Sequence, residues 1–201
     1  MTCTAALDVR SLRACLQLAR ASAAVGEVPV GALVRCGASH RIVGASSNKT
    51  VAAASSLAHA EVLALAAAQR SLGAPRLDNC TLYISLEPCL MCLGAAVVSR
   101  VSRVVFAARS PKYGAFSSGG LALDCFAGQE AGQQAGQQQP GQEGAPAGCA
   151  ACLPTTPPMA WLRASPVKVQ VACAEDSPLP ALQSTAAQSK ELLGGFFSAL
   201  R

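Results

Sequence analysis

A strand, a helix and a second strand follow one another between residues 81 and 107, and this order constrains the fold more than any other feature of the sequence. Residues 81–86 predict a strand, the uninterrupted apolar run at 90–98 predicts a helix, and residues 103–107 predict the second strand. Strands joined through a helix pair in parallel, because parallel pairing needs a long crossover connection. The sequence therefore predicts an α/β layer fold.

The other elements are predicted on either side of this unit. Residues 8–25 carry apolar side chains at helical spacing and predict an amphipathic helix. Residues 28–34 and 41–45 predict the two strands of a hairpin. Residues 167–171 alternate in the manner of a half-exposed strand, and the last segment, 180–201, is helical in pattern.

The composition changes in the second half of the chain and suggests how the domain is divided. Residues 125–165 are rich in Gly, Gln and Pro and cannot bury much apolar surface, so they predict a disordered or loosely packed insertion. Residues 1–124 then form the core, and residues 166–201 complete it with a strand and a helix. Cys149 and Cys152 lie inside the insertion without a histidine nearby, which disfavours a second metal site there.

Composition excludes several classes of protein. With 201 residues, 51% of them apolar, the chain can build one well-buried domain, and no apolar run reaches the roughly 18 residues that a membrane span requires. The net charge of +5 is compatible with a nucleic-acid partner. Ten cysteines without a signal-peptide pattern favour reduced thiols inside a cell. We therefore expect a cytoplasmic protein, with an organelle as the open alternative.

The residues best suited to chemistry lie at the starts of two predicted helices. His59 opens a helical run at 58–70, and Cys89 and Cys92 follow Pro88 at the head of the next helix. Residues at i and i+3 share a helix face, and proline suits a helix's first turn. Three nitrogen and sulfur ligands leave one tetrahedral position of Zn2+ open for water, so the sequence predicts a catalytic zinc site.

Glu61 is predicted to act on protons beside this site. It follows His59 by two positions, which separates the two side chains by about 200° around an ideal helix, so we do not expect both to bind one ion. Taken alone, Cys89 and Cys92 would also suit a redox pair or two buried thiols. The ordered combination His-x-Glu followed by Pro-Cys-x-x-Cys favours the zinc site.

Asn48 and a group of cations are further candidates. Asn48 follows the predicted hairpin, where it can occupy a turn or offer its amide to a sugar or a base edge. Four cations follow the second site helix with no acid among them and with an aromatic residue at their end: Arg100, Arg103, Arg109 and Lys112, then Tyr113. They suit either a solvated strand end or a surface that grips RNA phosphates while the ring stacks on a base.

These residues together resemble the motifs of tRNA-specific adenosine deaminases, within the cytidine-deaminase-like superfamily of zinc enzymes. The resemblance covers residues 8–116 and, more faintly, 167–201. It rests on seven pieces of sequence: Glu27-Val-Pro-Val-Gly-Ala32, Asn48, His59-Ala-Glu61, Leu86-Glu-Pro-Cys-Leu-Met-Cys92, Ser99-Arg100, Arg103-Val-Val-Phe106 and Phe196-Phe197.

The resemblance implies a fold, a reaction and partners. The fold is a three-layer α/β/α arrangement with a mixed five-stranded sheet. The reaction is the hydrolytic conversion of adenosine to inosine at the wobble position of a tRNA anticodon, with one Zn2+ per subunit. The partners are the anticodon stem–loop of tRNA and a second subunit, in a homodimer or in a heterodimer with a related deaminase. No membrane partner is expected.

Residue roles are implied in the same way. Glu61 is the expected catalytic acid and base, and three residues are the expected zinc ligands: His59, Cys89 and Cys92. Four residues are expected to bind the substrate nucleoside: Asn48, Ala60, Val30 and Pro88. Four more are expected to contact tRNA: Arg100, Arg109, Lys112 and Tyr113.

Two other functions remain open at this point. A deaminase of free bases or nucleotides, such as cytosine or guanine, would use the same zinc motif without a basic surface. A tRNA-binding subunit of a heterodimeric deaminase could dispense with Glu61, which is present. The chain also departs from the family pattern at Ala107-Ala108 and at 117–120, and compact bacterial members have no counterpart of the insertion.

Overall fold

The computed structural model describes residues 3–117 and 170–199. In this part of the chain the helices and strands are, in order, α1 (Cys3–Ala24), β1 (Gly31–Cys36), β2 (Ile42–Ser47), α2 (Ala60–Leu72), β3 (Cys80–Leu86), α3 (Leu90–Val98), β4 (Arg103–Ala108), β5 (Gln170–Cys173) and α4 (Pro180–Ala199). Each of them corresponds to an element that the sequence predicts.

The strands form one mixed sheet in the order β2-β1-β3-β4-β5. Strand β1 runs antiparallel to both β2 and β3, whereas β3, β4 and β5 are mutually parallel. Helix α3 supplies the crossover between β3 and β4 that the apolar run predicts. The predicted mixed five-stranded α/β fold is confirmed.

Helices cover both faces of this sheet, because successive residues of each strand point to opposite sides. Helices α2 and α3 pack on one face, against residues such as Val34, Leu82 and Ile84. Helices α1 and α4 pack on the other face, against residues such as Leu33 and Tyr83. The layers are therefore α/β/α.

Several connections meet at one end of the sheet, and their meeting positions the candidate site. Strand β1 begins at Gly31, opposite Ser47 at the end of β2. The Gly31 N–H also donates to the Ser85 hydroxyl at 3.1 Å, next to the end of β3. The segments before β1, after β2 and after β3 therefore lie side by side, although they are far apart in sequence.

Two sequence predictions need correction. The strand predicted at 167–171 continues to Cys173 in β5, since its residues pair in register with β4, which alternation alone cannot reveal; residues 167–169 lie outside the described part of the chain. Pro88, predicted in the first turn of a helix, instead precedes the N-cap residue Cys89, because α3 begins only at Leu90.

Other predictions fall outside the described residues. The insertion at 125–165, with Cys149 and Cys152, lies outside the described residues, so the predicted division of the chain at 124 and 166 stays a prediction. The described residues all belong to one compact unit. Among their helices, none combines the length and the apolar character that crossing a bilayer requires.

Candidate active site

His59, Cys89 and Cys92 meet where the connections converge. The Nδ1 atom of His59 lies 3.7 Å from Sγ of Cys89 and 3.4 Å from Sγ of Cys92. All three ligand atoms lie within 4.8 Å of one another. A tetrahedral zinc ion, with bonds of about 2.0 Å to nitrogen and 2.3 Å to sulfur, holds such ligands about 3.5 Å apart. The donor types and their spacing therefore fit Zn2+.

Two helix N-termini bring these side chains together. His59 is the N-cap residue of α2 and Cys89 the N-cap residue of α3, and both have extended backbone angles. Cys92 follows in the first turn of α3, where it is buried. The unpaired N–H groups of a helix N-terminus carry partial positive charge and stabilise thiolates. The local structure therefore favours the form of cysteine that binds metal.

The thiols of Cys89 and Cys92 differ in pKa, because a hydrogen bond joins them. The pKa of Cys89 is lowered to about 5, chiefly because the Cys92 thiol donates a hydrogen bond to its sulfur. The pKa of Cys92 is raised, because that same hydrogen bond and its burial favour the protonated form. Binding of a metal ion by both sulfurs would displace the remaining proton.

Glu61 lies buried beside the three ligand-type residues, with 4% of its surface exposed. It occupies the first turn of α2, close to both His59 and Cys92. Burial is the main cause that raises the pKa of its carboxyl group. A carboxyl group with a raised pKa exchanges protons closer to neutral pH, as a general acid and base must.

A second buried carboxylate, that of Glu27, organises the loop after β2. It accepts hydrogen bonds from Nδ2 of Asn48 at 3.2 Å and from the Thr50 hydroxyl at 3.3 Å. It also accepts from the backbone N–H groups of Val51 at 3.2 Å and Ala52 at 2.7 Å. These donors, Ala52 first, hold the pKa of Glu27 below its usual value.

Asn48 is buried rather than exposed in a turn. Its backbone N–H donates to the Val30 carbonyl at 2.9 Å, and its own carbonyl accepts from the Ser22 hydroxyl at 3.2 Å. Its Nδ2 group donates to Glu27 and, at 2.8 Å, to the Thr50 hydroxyl. Both amide hydrogens are therefore used, and Oδ1 is left to accept a further hydrogen bond.

A third buried carboxylate, that of Glu87, holds the loop at 110–117. It accepts a hydrogen bond from the Ser117 hydroxyl and from three backbone N–H groups, each at 2.8 Å: Ser110, Phe116 and Ser117. A Cβ atom at Gly114 would lie 2.3 Å from the Glu87 carboxyl carbon, so only glycine fits this approach. The neighbouring Pro88 carbonyl accepts from Ala115 N–H at 2.9 Å.

Sequence interpretation did not single out Glu27 or Glu87 as site residues. A usable signal existed, because each is a lone acid within an apolar segment at a strand terminus. A carboxylate buried in such a segment needs several donors to offset its lost hydration. Which donors it finds depends on loops that are distant in sequence.

The structure removes Arg103 from the predicted RNA-binding cations. Its guanidinium forms two hydrogen bonds with the Asp8 carboxylate, at 2.8 and 2.7 Å. The Tyr83 hydroxyl donates to the same carboxylate at 2.8 Å. This group lies on the α1 face of the sheet, where the pair is largely buried and Arg103 serves as a structural ion pair.

Three other residues of the basic stretch lie in or next to the loop at 110–117: Arg109, Lys112 and Tyr113. Arg109 pairs with Asp176 at 2.5 Å across a half-exposed surface. The Lys112 ammonium group lies 5.0 Å from the centre of the Tyr113 ring, and both side chains are exposed. Arg100 follows the C-cap residue of α3, at the end of the sheet where β3 begins, and is partly exposed. Their contact with tRNA stays a prediction.

Solved structures share this fold. One, from biochemical and structural studies of A-to-I editing by tRNA:A34 deaminases, matches with a TM-score of 0.60 and 24% identity, over 92% of this chain and 99% of that chain. A guanine deaminase from Nitrosomonas europaea matches with a TM-score of 0.58 and 25% identity, over 92% of this chain and 84% of that chain.

Curated relatives are more similar over a shorter region. The tRNA(Ile)-lysidine synthase of Deinococcus deserti is 50% identical over 100 residues, which are 50% of this chain and 19% of that protein. The tRNA-specific adenosine deaminase of Haemophilus influenzae is 41% identical over 111 residues, which are 55% of this chain and 64% of that protein. The chain thus spans less than two thirds of each relative. The predicted resemblance to tRNA-specific adenosine deaminases is confirmed.

A family model covers the same part of the chain as the site. The model of the MafB19-like deaminases matches residues 8–123 and so includes all three ligand-type residues, Glu61 and the two loops that Glu27 and Glu87 hold. The match spans more than half of the 201 residues, and the chain therefore belongs to the MafB19-like deaminase family.

Proposed function

We propose that the chain is a tRNA adenosine deaminase, a zinc-dependent hydrolase of cyclic amidine C–N bonds that forms inosine at the anticodon wobble position. One observation carries this proposal: Glu61 lies buried beside the His59, Cys89 and Cys92 group, at the spacing that zinc accepts. The 41% identity to the tRNA-specific adenosine deaminase of Haemophilus influenzae supports the choice of substrate.

The metal-binding role belongs to three residues. His59 through Nδ1, and Cys89 and Cys92 through their sulfurs, would hold one Zn2+ per subunit. When bound, the ion supplies a water of lowered pKa at its fourth coordination position. The thiol pair is suited to this, because the lowered pKa of Cys89 leaves one thiolate ready for the ion.

Glu61 moves the protons of the reaction. Its carboxylate accepts the proton that the attacking water loses, and it returns a proton to the departing amino group, which leaves as ammonia. Burial suits both halves of this cycle, since the raised pKa brings the protonated and ionised forms of Glu61 closer in energy near neutral pH.

Four residues would position the nucleoside. Asn48 would accept a hydrogen bond from the nucleoside through Oδ1, because its two amide hydrogens are donated to Glu27 and Thr50. The backbone N–H of Ala60, at the start of α2, would supply a further contact. The buried apolar side chains of Val30 and Pro88 would supply the remaining ones.

Macromolecular partners are part of the same proposal. Four side chains would contact the anticodon stem–loop of tRNA: Arg100, Arg109, Lys112 and Tyr113. A second subunit, identical or related, would cover large apolar side chains that the described residues expose near the site helices: Val51, Leu57, Leu90 and Val98. A cytoplasmic location accords with the free thiols of the site, which suit a reducing compartment.

Inosine formation tests the proposal. The zinc-loaded chain is incubated with a tRNA transcript that carries adenosine at the wobble position, beside Glu61→Gln and the matched control Glu191→Gln, which changes an exposed acid of α4. We expect inosine from the parent and the control, and a loss of about 100- to 10,000-fold for Glu61→Gln. Equal activity of all three proteins would contradict the role of Glu61.

A second candidate function is the deamination of a free purine base. The likeness to the guanine deaminase of Nitrosomonas europaea supports it, with a TM-score of 0.58 and 25% identity over 92% of this chain. Such an enzyme needs no basic surface, so Lys112→Glu would leave its rate unchanged. Ammonia released from guanine, with no inosine in tRNA, would replace the first proposal with this one.

A further inference from the structure

Two cysteines that the proposed deamination does not use face each other at the far end of the sheet. Cys36 ends β1 and Cys80 begins β3, and the two residues are partners in the antiparallel ladder. Both side chains lie on the face that α2 covers. Strand β3 runs from Cys80 toward Cys89, so this pair lies at the opposite end of the strand from the metal-type site.

The backbone hydrogen bonds show that the two side chains are close. The N–H of Cys36 donates to the Arg41 carbonyl at 3.0 Å, and the carbonyl of Cys80 accepts from the Ser102 N–H at 3.0 Å. Both groups thus point away from the shared ladder, which makes this a non-hydrogen-bonded pair. The Cα atoms of such pairs are typically about 4.5 Å apart, within the range of roughly 4.4–6.8 Å that disulfides span.

The two thiols differ in reactivity. Cys36 is partly exposed, and its sulfur accepts hydrogen bonds from the Ser39 backbone and hydroxyl, the Ala38 backbone and the Cys80 thiol, which lower its pKa. Cys80 is buried, and burial raises its pKa to about 11. The accessible sulfur is therefore the better thiolate nucleophile, and the buried sulfur keeps its proton.

We propose that Cys36 and Cys80 form an oxidation site that converts hydroperoxide into water while the two thiols become a disulfide. The Cys36 thiolate attacks the O–O bond of hydrogen peroxide, takes one oxygen as sulfenic acid and releases hydroxide. The Cys80 sulfur then displaces the sulfenic oxygen, and its proton leaves with that oxygen as water. The two cysteines lose two electrons, and the peroxide gains them.

Oxidation at this pair has a consequence for the distant site. The disulfide closes the loop from Cys36 to Cys80, which contains Asn48, His59 and Glu61. Closing a loop of this length restricts the unfolded chain. We therefore expect the oxidised protein to unfold at a higher temperature than the reduced protein, with the difference abolished by dithiothreitol.

Peptide mapping of the full-length, zinc-loaded chain tests the proposal. The reduced protein is treated with hydrogen peroxide, free thiols are blocked with iodoacetamide, and the digest is analysed without reductant. We expect a cross-linked peptide that joins Cys36 to Cys80, lighter than the two thiol peptides by two hydrogen atoms and separated by dithiothreitol. Cys15, which is buried and has a raised pKa, is the internal control and should stay a thiol.

Two variants separate the roles of the sulfurs. Cys80→Ser should accumulate sulfenic acid at Cys36, which dimedone traps, whereas Cys36→Ser should leave Cys80 unmodified. Alkylation of both cysteines after peroxide treatment of the parent would overturn the proposal. A disulfide from Cys36 to any other cysteine, or dimedone labelling at Cys80, would also overturn it.

Discussion

The side-chain amide of Asn48 donates a hydrogen bond to Oε2 of Glu27 at 3.2 Å, and this contact determines which atom of the amide remains available. A carboxylate only accepts hydrogen bonds, so the amide cannot turn its oxygen toward Glu27 without repulsion. The second amide hydrogen goes to Thr50 at 2.8 Å. The loop therefore presents Oδ1 of Asn48 as an acceptor.

Glu27→Gln should lower activity, because it removes the carboxylate that orients the Asn48 amide. The glutamine amide can turn its NH2 toward Asn48 and let that side chain reverse, and misplacement of a substrate contact by about 1 Å costs up to a hundredfold in rate. The measurement is kcat/KM for inosine formation, with zinc content checked by elemental analysis and expected to be unchanged.

A double variant provides the control for that prediction. In Glu27→Gln combined with Asn48→Asp, the new amide donates and the new carboxylate accepts, so the hydrogen bond is restored with its direction reversed. We expect this protein to be more active than the product of the two single losses predicts. If the activity of the double variant instead equals the product of the two single losses, the polarity of the amide is not the cause.

Stability should fall at acidic pH partly through Glu27. Its folded-state pKa lies below the ordinary value of 4.5, because backbone N–H groups donate to the ionised form. Its stabilising contribution is therefore fully present above the unfolded pKa and is lost as the pH falls through the folded pKa. Urea unfolding midpoints of the parent and Glu27→Gln should differ by a constant amount well above pH 4.5 and should converge across the acidic range below pH 4.5. Unfolding midpoints that differ by a constant amount over this acidic range would contradict the lowered pKa of Glu27.

Removal of a zinc ligand should remove the metal and the activity together. Cys92→Ala leaves two of three protein ligands, and Zn2+ bound by His59 and Cys89 alone should be lost to a mild chelator. Elemental analysis should show one zinc per chain for the parent and near none for the variant. Cys173→Ala, at the end of β5, is the matched control and should retain the ion. Full zinc occupancy in Cys92→Ala would contradict the assignment.

The ion pair between Asp8 and Arg103 should contribute strongly to stability. Asp8→Ala leaves the partly buried Arg103 guanidinium and the buried Tyr83 hydroxyl without their acceptor and should cost about 1–3 kcal/mol of unfolding free energy. Asp176→Ala breaks the half-exposed pair with Arg109 and should cost about 0–1 kcal/mol. Urea denaturation measures both changes. Equal losses for the two variants would show that burial of the Asp8 pair is not the reason.

Lys112→Ala should reduce the salt dependence of tRNA binding. One lost phosphate contact lowers the slope of log affinity against log salt by about 0.7 for a single-stranded region. The binding constant for tRNA should weaken, while turnover of saturating tRNA stays unchanged. Arg13→Ala, which removes an exposed cation of α1, is the matched control. An unchanged slope for Lys112→Ala would exclude its contact with phosphate.

The sequence by itself determined the elements and the chemical group at their junction. Strands and helices follow from short-range periodicity, so 90–98 and 103–107 are predictable as a helix and a strand. The histidine and the Cys-x-x-Cys pair are recognisable because they belong to short motifs, in which residues three positions apart share one face of a helix. The mixed sheet follows from the crossover between β3 and β4, together with the resemblance to known deaminases.

Only the tertiary structure decided how the charged residues are used. Arg103 belongs to a cationic run in the sequence, yet its partner Asp8 lies 95 positions away, and the two meet because α1 packs under the sheet. Glu27 and Glu87 act through loops 21 to 30 positions away. Local patterns carry no record of such pairings, since burial of a charge depends on which segments the folded chain brings together.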